Sequence, residues 1–333
     1  MLGLFVDDIM ISYEKKDEYE IEIVKKKLQK KYELTDEGEV HHLLGMTVKK
    51  VEEQIYLSQH IYINDKLKQF RMNECKEASI PGESNVFMNA SDKSVNVNLY
   101  RQIVGSLIYA SISTRPDITH ATNIVSRFMS QPTATSMNAA NKILRYLKGC
   151  VNYGLKYNNE DDNDNNNNNN NNNNSVALTG YCDADWGGDK TDRKSTTGYC
   201  VFINNNLISW NTKKQQTVAL STAEAELMAI VEVTKELKWM QALLTEMKMK
   251  VKTPITIYTD NQPAIKIAQH DIEHDRTKHI DIKHFFIRDE IDKKEIIIKW
   301  IRTEQQIADI FTKSLPLSSF TQHRDKLIKQ QES

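Results

Sequence analysis

An α/β protein in two parts is what the sequence predicts, and three observations carry that prediction. After Ser175 the chain reads strand, hairpin, long amphipathic helix, strand, two helices, strand and closing helix, the order of a mixed sheet covered by helices. Before Asn158, short strands and helices follow one another in a mixed α+β pattern. Between the two, from Asn158 to Ser175, runs an asparagine-dominated tract without one aliphatic residue. Such a tract cannot bury enough surface to offset its ordering entropy, so a disordered linker is expected there.

The totals restrict the function classes only loosely. A chain of 333 residues has room for two or three cores, and a formal charge of −1 announces neither a nucleic-acid nor a membrane partner. No apolar stretch approaches the roughly 20 residues needed to cross a bilayer. Asp7 and Asp8 interrupt the only apolar segment near the start, so no signal peptide is expected. Cys75, Cys150, Cys182 and Cys200 show no CxxC spacing, which fits a reduced, intracellular protein.

In the first part, "LGLFVDDIMIS" reads as strand–turn–strand with two adjacent carboxylates at its tip. Their repulsion calls for a cation, commonly a metal ion. "EYEIEIVKKKLQKKY" places Ile21, Val24 and Leu28 on one helical face. "LLGMTVKKVEEQIYLS" is a hairpin turning at Glu52–Gln54, and "SQHIYINDKLKQF" a short helix. "LYRQIVGSLIYASIS" is stopped by Pro116, and "AANKILRYLKG" is a helix for which Gly149 suits a C-cap.

In the second part, "SVALTGYCDADW" is a strand with Asp183 and Asp185 on one face, and Asp183 lies deeper in it. "GYCVFINNNLISWNTKK" is a hairpin turning at Asn204–Asn206. In the long helix "STAEAELMAIVEVTKELKWMQALLTEM", Ser221 and Glu224 fit a capping box, which explains Glu224. Glu226 has no such explanation. It shares the apolar stripe of Ile230, Val233 and Leu237, where a carboxylate is costly without a partner. Asp260 ends the strand "PITIYTD", a position that taken alone is more often an N-cap, though the end of a strand in an α/β sheet is also where sites gather. Asp309 lies in "TEQQIADIFTKSL", expected as a closing helix in which Thr303 and Gln306 form a capping box. Four carboxylates converging from separate elements would suit two divalent ions clamping a phosphodiester.

The quoted residues carry a resemblance. "LTGYCDADWGG", "RKSTTGYCVFI", "STAEAELMAI", "TIYTDNQPAIKIA", "KHIDIKHFFIRDEI" and "IADIFTKSLP", in that order, closely resemble the RNase H domain of copia-type retrotransposon polyproteins. The resemblance implies an RNase H-like five-stranded mixed sheet with flanking helices. It implies a site of Asp183, Glu226, Asp260 and Asp309 holding two Mg²⁺ or Mn²⁺ ions, and an RNA–DNA hybrid as substrate. The region before the tract resembles the rear part of the same polyprotein's reverse transcriptase, a partial palm, thumb and connection. There "LFVDDIMIS" looks like the catalytic hairpin with Phe5 where Tyr is usual, and Asp7 and Asp8 are what remains of the polymerase metal site. A family histidine before the last helix is replaced by Ser136 and Met137, read as drift. The implied division is a truncated reverse transcriptase over 1–157, linker over 158–175, RNase H over 176–316 and a C-terminal tail over 317–333. Polymerase activity is not expected, because a third palm carboxylate is missing.

Lesser candidates complete the reading. Arg193, Lys194 and Lys213 are solvated by default but could hold phosphates, and Ser195 and Thr196 could meet an RNA 2′-hydroxyl. His279 in "KHIDI" is a candidate for the substrate groove, whereas the His270–His274 spacing makes a poor zinc site without further ligands. The four tryptophans are expected in the core. The reading is a metal-dependent endonuclease cutting RNA in hybrids, intracellular, in a cytoplasmic virus-like particle or the nucleus, partnered by the rest of the polyprotein and by no membrane. Its alternative is a non-catalytic retrotransposon relic that at most binds nucleic acid.

Overall fold

The structure is a computed structural model describing residues 1–82, 93–158, 175–269 and 278–331, with the side chains of 278–281 left aside. The body of the asparagine tract, His270 and His274 therefore lie outside the described residues. The first half opens with a two-stranded hairpin, β1 (Leu2–Phe5) and β2 (Asp8–Ile11), followed by helix α1 (Glu18–Lys31). Neither strand of this hairpin carries a buried residue, nor does α1. Next come β3 (His42–Leu43), β4 (Met46–Val51) and β5 (Gln54–Ser58), with the β4–β5 turn at the expected place. Helices α2 (His60–Gln69), α3 (Val97–Ser113), α4 (Thr119–Ser126) and α5 (Ala134–Gly149) lead to β6 (Tyr153–Asn158).

The second half begins at β7 (Ser175–Val176) and builds one mixed sheet from β8 (Leu178–Asp185), β9 (Thr196–Ile203) and β10 (Asn206–Lys214). After α6 (Thr222–Glu246) and the short β11 (Lys250–Val251), it adds β12 (Ile255–Thr259). Helices α7 (Gln262–Gln269) and α8 (Lys278–Asp292) then precede β13 (Ile296–Trp300). The order across the sheet is β10–β9–β8–β12–β13; the first three run antiparallel, and β12 is parallel to both neighbours. This is the five-stranded mixed sheet with flanking helices expected of an RNase H-like fold. Gly180 makes the helix contact close, since a Cβ there would come within 2.9 Å of Val233 and 3.0 Å of Leu237. α6 thus rests directly on β8, and its amino-terminal end carries Glu226 over the end of the sheet.

Several local expectations are corrected. The segment "TEQQIADIFTKSL" is two 3₁₀ turns, Thr303–Gln305 and Ile307–Phe311, and Gln306 caps the second by accepting from Ala308 N–H at 3.2 Å. The Thr303 hydroxyl goes instead to Asp260, so the capping box is absent. α5 starts at Ala134 and runs through Gly149 to a cap at Cys150, whose φ of −144° needs no glycine. Ser136, taken as drift, is buried and forms a reciprocal capping box with Thr133 at the start of α5. Trp186, Trp239 and Trp300 are exposed rather than core. Residues 317–333, expected as a tail, contain α9 (Leu317–Leu327) and β14 (Lys329–Gln330), which pairs with β6.

That last pairing belongs to a larger fact: the two halves share one core. Ile103, Leu107, Ile143 and Leu147 from α3 and α5 join Cys200, Phe202 and Leu207 of the sheet, Ile307, Ile310 and Phe311 of the last turn, and Phe320 and Leu327 of α9. Polar contacts fix the register: Trp210 Nε1 donates to Ser111 O at 2.8 Å, Asn123 Nδ2 to Thr212 O at 3.1 Å, and Arg127 pairs with Asp189 at 3.0 Å. Inside the helical layer, fully buried Arg115 forks onto Asp117 at 2.9 and 2.7 Å and donates to Cys150 O at 2.9 Å. An ion pair removed from water at both ends needs such additional partners. Phe311 is the test of the shared core. Phe311→Ala in the full chain is expected to cost about 3–5 kcal/mol in urea unfolding. Asp8→Asn at the exposed hairpin should stay within about 0.5 kcal/mol. A near-neutral Phe311→Ala would contradict the shared core.

Candidate metal centre

Parallel pairing brings two carboxylates to one edge. Tyr181 of β8 lies opposite Tyr258 of β12, so two residues further on Asp183 and Asp260 emerge side by side at the carboxyl ends of parallel strands. Asp260 is not the helix cap. Asn261 Oδ1 accepts from Ala264 N–H at 2.9 Å and caps α7, leaving the Asp260 carboxylate to the site. Its Oδ2 accepts from Thr303 Oγ1 at 2.7 Å, and its backbone carbonyl from Trp300 Nε1 at 3.1 Å.

Glu226 arrives from α6, on the stripe of buried Ile230, Val233 and Leu237. One oxygen from each of Asp183, Glu226 and Asp260 lies within 4.8 Å of the other two. Asp183 is 3% exposed and Glu226 5%. Among the described residues Glu226 Oε2 has no hydrogen-bond partner. Burial, then the Asp183 and Asp260 charges, pushes the Glu226 carboxyl well above the usual carboxylate range. An all-oxygen donor set with one buried oxygen unsatisfied fits a hard divalent cation such as Mg²⁺ or Mn²⁺.

Asp309 stands beyond Asp183, outside that trio, and is joined to it by Lys313. The ammonium lies 3.0 Å from Asp309 Oδ1 and 3.7 Å from Asp183 Oδ2, and Thr312 Oγ1 donates to the same Asp183 oxygen. Burial and Asp183 push the Asp309 carboxyl up to about 7, against the pull of Lys313. Burial disfavours the Lys313 ammonium, but Asp183 and Asp309 more than offset it, leaving it above the ordinary lysine value. Gly198, paired with Asp183 across β8–β9, lets this turn approach: a Cβ there would sit 2.6 Å from Phe311 Cβ and 2.7 Å from Thr312 Cγ2. Gln306 Nε2 ties the turn to Cys182 O at 3.0 Å. Nothing in the local sequence marks Thr312 or Lys313, and Thr303 reads there as a cap, because all three roles depend on where the 3₁₀ turns fold back. Gly198, without a side chain inside a strand of mostly branched and aromatic residues, is the one signal of this close approach that the sequence carries.

The remaining candidates are dispersed. Asp7 and Asp8 lie exposed at the β1–β2 tip, and they belong to no cluster of three acidic, His or Cys ligands found among the described residues. Ser195 and Thr196 are buried; Ser195 Oγ accepts from Gly187 N–H at 3.1 Å, and Thr196 Oγ1 from Arg127 at 3.5 Å. Arg193 is exposed, Lys194 lies 3.9 Å from Asp192, and Lys213 pairs with Glu232 at 3.2 Å. His279 falls within α8, where its side chain is outside the described residues.

Residues 1–84 match the family described as reverse transcriptase (RNA-dependent DNA polymerase). The chain is 34% identical over 97% of its length to the retrovirus-related Pol polyprotein from transposon RE1 of Arabidopsis thaliana, covering 21% of that polyprotein. It is 35% identical over 96% of its length to the corresponding polyprotein from transposon TNT 1-94 of Nicotiana tabacum, covering 24%. The chain thus spans between a fifth and a quarter of these curated relatives. Among solved structures, LC11-RNase H1 in complex with RNA/DNA hybrid aligns at 12% identity over 40% of this chain and 93% of that one, with a TM-score of 0.32.

The raised Asp309 carboxyl gives a pH signature. From about pH 4 to about pH 7 the folded, metal-free protein keeps a proton on Asp309 that the unfolded chain has lost. Stability therefore falls as pH rises through that window. Asp309→Asn is expected to flatten the decline, read as urea midpoints across the window. An unchanged slope would contradict the assignment.

Proposed function

The chain belongs to the copia-type retrotransposon Pol family, and from that premise we propose that its second half is a divalent-metal-dependent endonuclease that hydrolyses the RNA strand of RNA–DNA hybrids. The observation that carries the proposal is the oxygen trio of Asp183, Glu226 and Asp260, within 4.8 Å, with a buried Glu226 oxygen unsatisfied. Mg²⁺ or Mn²⁺, when bound, would supply positive charge to the attacking and leaving oxygens of the phosphodiester. The residues do the rest. Asp183, Glu226 and Asp260 hold the ion-binding oxygens in place, Thr303 fixes Asp260, and Thr312 fixes Asp183. Asp309 extends the acidic surface on the far side of Asp183.

Substrate affinity in this reading comes from phosphate contacts, which carry no sequence preference. Arg193 and Lys213, both exposed, and half-buried Lys194 are the residues assigned to these contacts. Buried Ser195 and Thr196 shape the loop that holds Arg193. Asp7 and Asp8, exposed at the β1–β2 tip, take no part in this reaction. The hybrid and the remainder of the polyprotein are the proposed partners. No described helix is long and apolar enough to cross a membrane.

The full chain with Mg²⁺ should cut the RNA strand of an end-labelled hybrid and leave a DNA duplex intact. Chelation should stop the reaction, and Asp260→Asn or Glu226→Gln should slow it by about 100-fold or more. A folded protein without metal-dependent cleavage of the hybrid would overturn the proposal.

A further inference from the structure

Lys313 has no counterpart in the sequence-based account of the site, yet it is the cation that the structure places among the carboxylates. Its Nζ lies 3.0 Å from Asp309 Oδ1 and 3.7 Å from Asp183 Oδ2. Asp260 and Asp185 are also within range of its charge. The backbone beneath it is fixed. Its backbone N–H donates to Asp309 O at 3.2 Å, and the preceding residue, Thr312, is fully buried with its hydroxyl on Asp183. The side chain itself is 38% exposed, and its tip is held by the two carboxylates.

The site consequently has two unequal sides with Asp183 common to both. On one side Asp183, Glu226 and Asp260 offer oxygens to an ion, with Glu226 Oε2 unsatisfied. On the other, Asp183 and Asp309 already share an ammonium. A second divalent ion between those two would lie within a few ångströms of that ammonium, in partly buried surroundings where like charges repel strongly.

Resting on the metal-centre reading above, we propose that Lys313 is a positioning residue that serves as a built-in cation. It holds the Asp183–Asp309 side in the free protein, so that one divalent ion binds tightly at Asp183, Glu226 and Asp260 and a second enters the Asp183–Asp309 side only when Lys313 gives way. Substrate phosphates, which attract the ammonium, provide a reason for it to swing out. The second ion is thereby linked to the presence of nucleic acid, and a fully loaded, cleavage-competent site does not persist without substrate.

The test is a Mn²⁺ titration of the full chain without nucleic acid, read by electron paramagnetic resonance of free Mn²⁺. Wild type should show one tight ion, lost in Asp260→Asn. Lys313→Met and Lys313→Gln, two neutral variants checked for native circular dichroism, should bind a second ion with affinity improved on the order of tenfold or more. Lys313→Arg, which keeps the charge, should still bind one. Two equally tight ions in wild type, or a single ion in a folded neutral variant, would overturn the role of Lys313 and leave the metal centre standing. No ion in any variant would overturn the metal centre itself, and this inference with it.

Discussion

Carboxylates gathered at one end of a sheet repel one another, and the rest of this structure is organised around making that repulsion tolerable. Asp183 is the pivot. It lies beside Asp260 because β8 and β12 are parallel neighbours, beneath Glu226 because α6 rests on Gly180, and against Asp309 because Gly198 admits the last turn. Each approach adds negative charge in a place with little water to screen it. Hydroxyls from Thr303 and Thr312 and the Lys313 ammonium absorb part of the cost. What they leave over, most plainly the bare Glu226 oxygen, is what a hard cation would satisfy.

The shared core gives the helical half a role in this arrangement. The turn that carries Asp309 stands on Ile310 and Phe311, and both side chains pack into the cluster with α3, α5 and α9. Thr212 Oγ1 of β10 donates to Phe311 O at 2.8 Å, so the turn is gripped from the sheet side as well. A segment that resembles part of a polymerase thus supports one wall of a different site. The buried Arg115–Asp117 pair, with Tyr146 donating to Asp117 at 2.5 Å, braces that support. Tyr146 in turn meets Phe320 of α9 edge-on at 5.6 Å.

Much of this was legible in the sequence where periodicity or a short-range motif carried it. Glu226 stood out because a carboxylate fell on an apolar helical stripe, and that stripe is buried. The five strands were readable from alternation and from their turns. What could not be read depended on contacts between distant segments. Thr303 and Gln306 have the spacing of a capping box, but their side chains are drawn off by Asp260 and Cys182, and the helix becomes two 3₁₀ turns. Asn261 displaces Asp260 as a cap by one residue, a difference that propensity does not resolve. Trp186 and Trp300 sit exposed because their indole N–H groups anchor on the Ala219 and Asp260 carbonyls at the rim of the sheet. Hydrophobicity alone would bury both.

The proposed function stands on Asp183, Glu226 and Asp260 sharing one divalent cation. Anomalous diffraction from a crystal of the full chain soaked in Mn²⁺ tests it most directly. The account predicts a peak within coordinating distance of an oxygen from each of the three. A well-ordered site without such a peak, or with manganese bound only elsewhere on the surface, would contradict it.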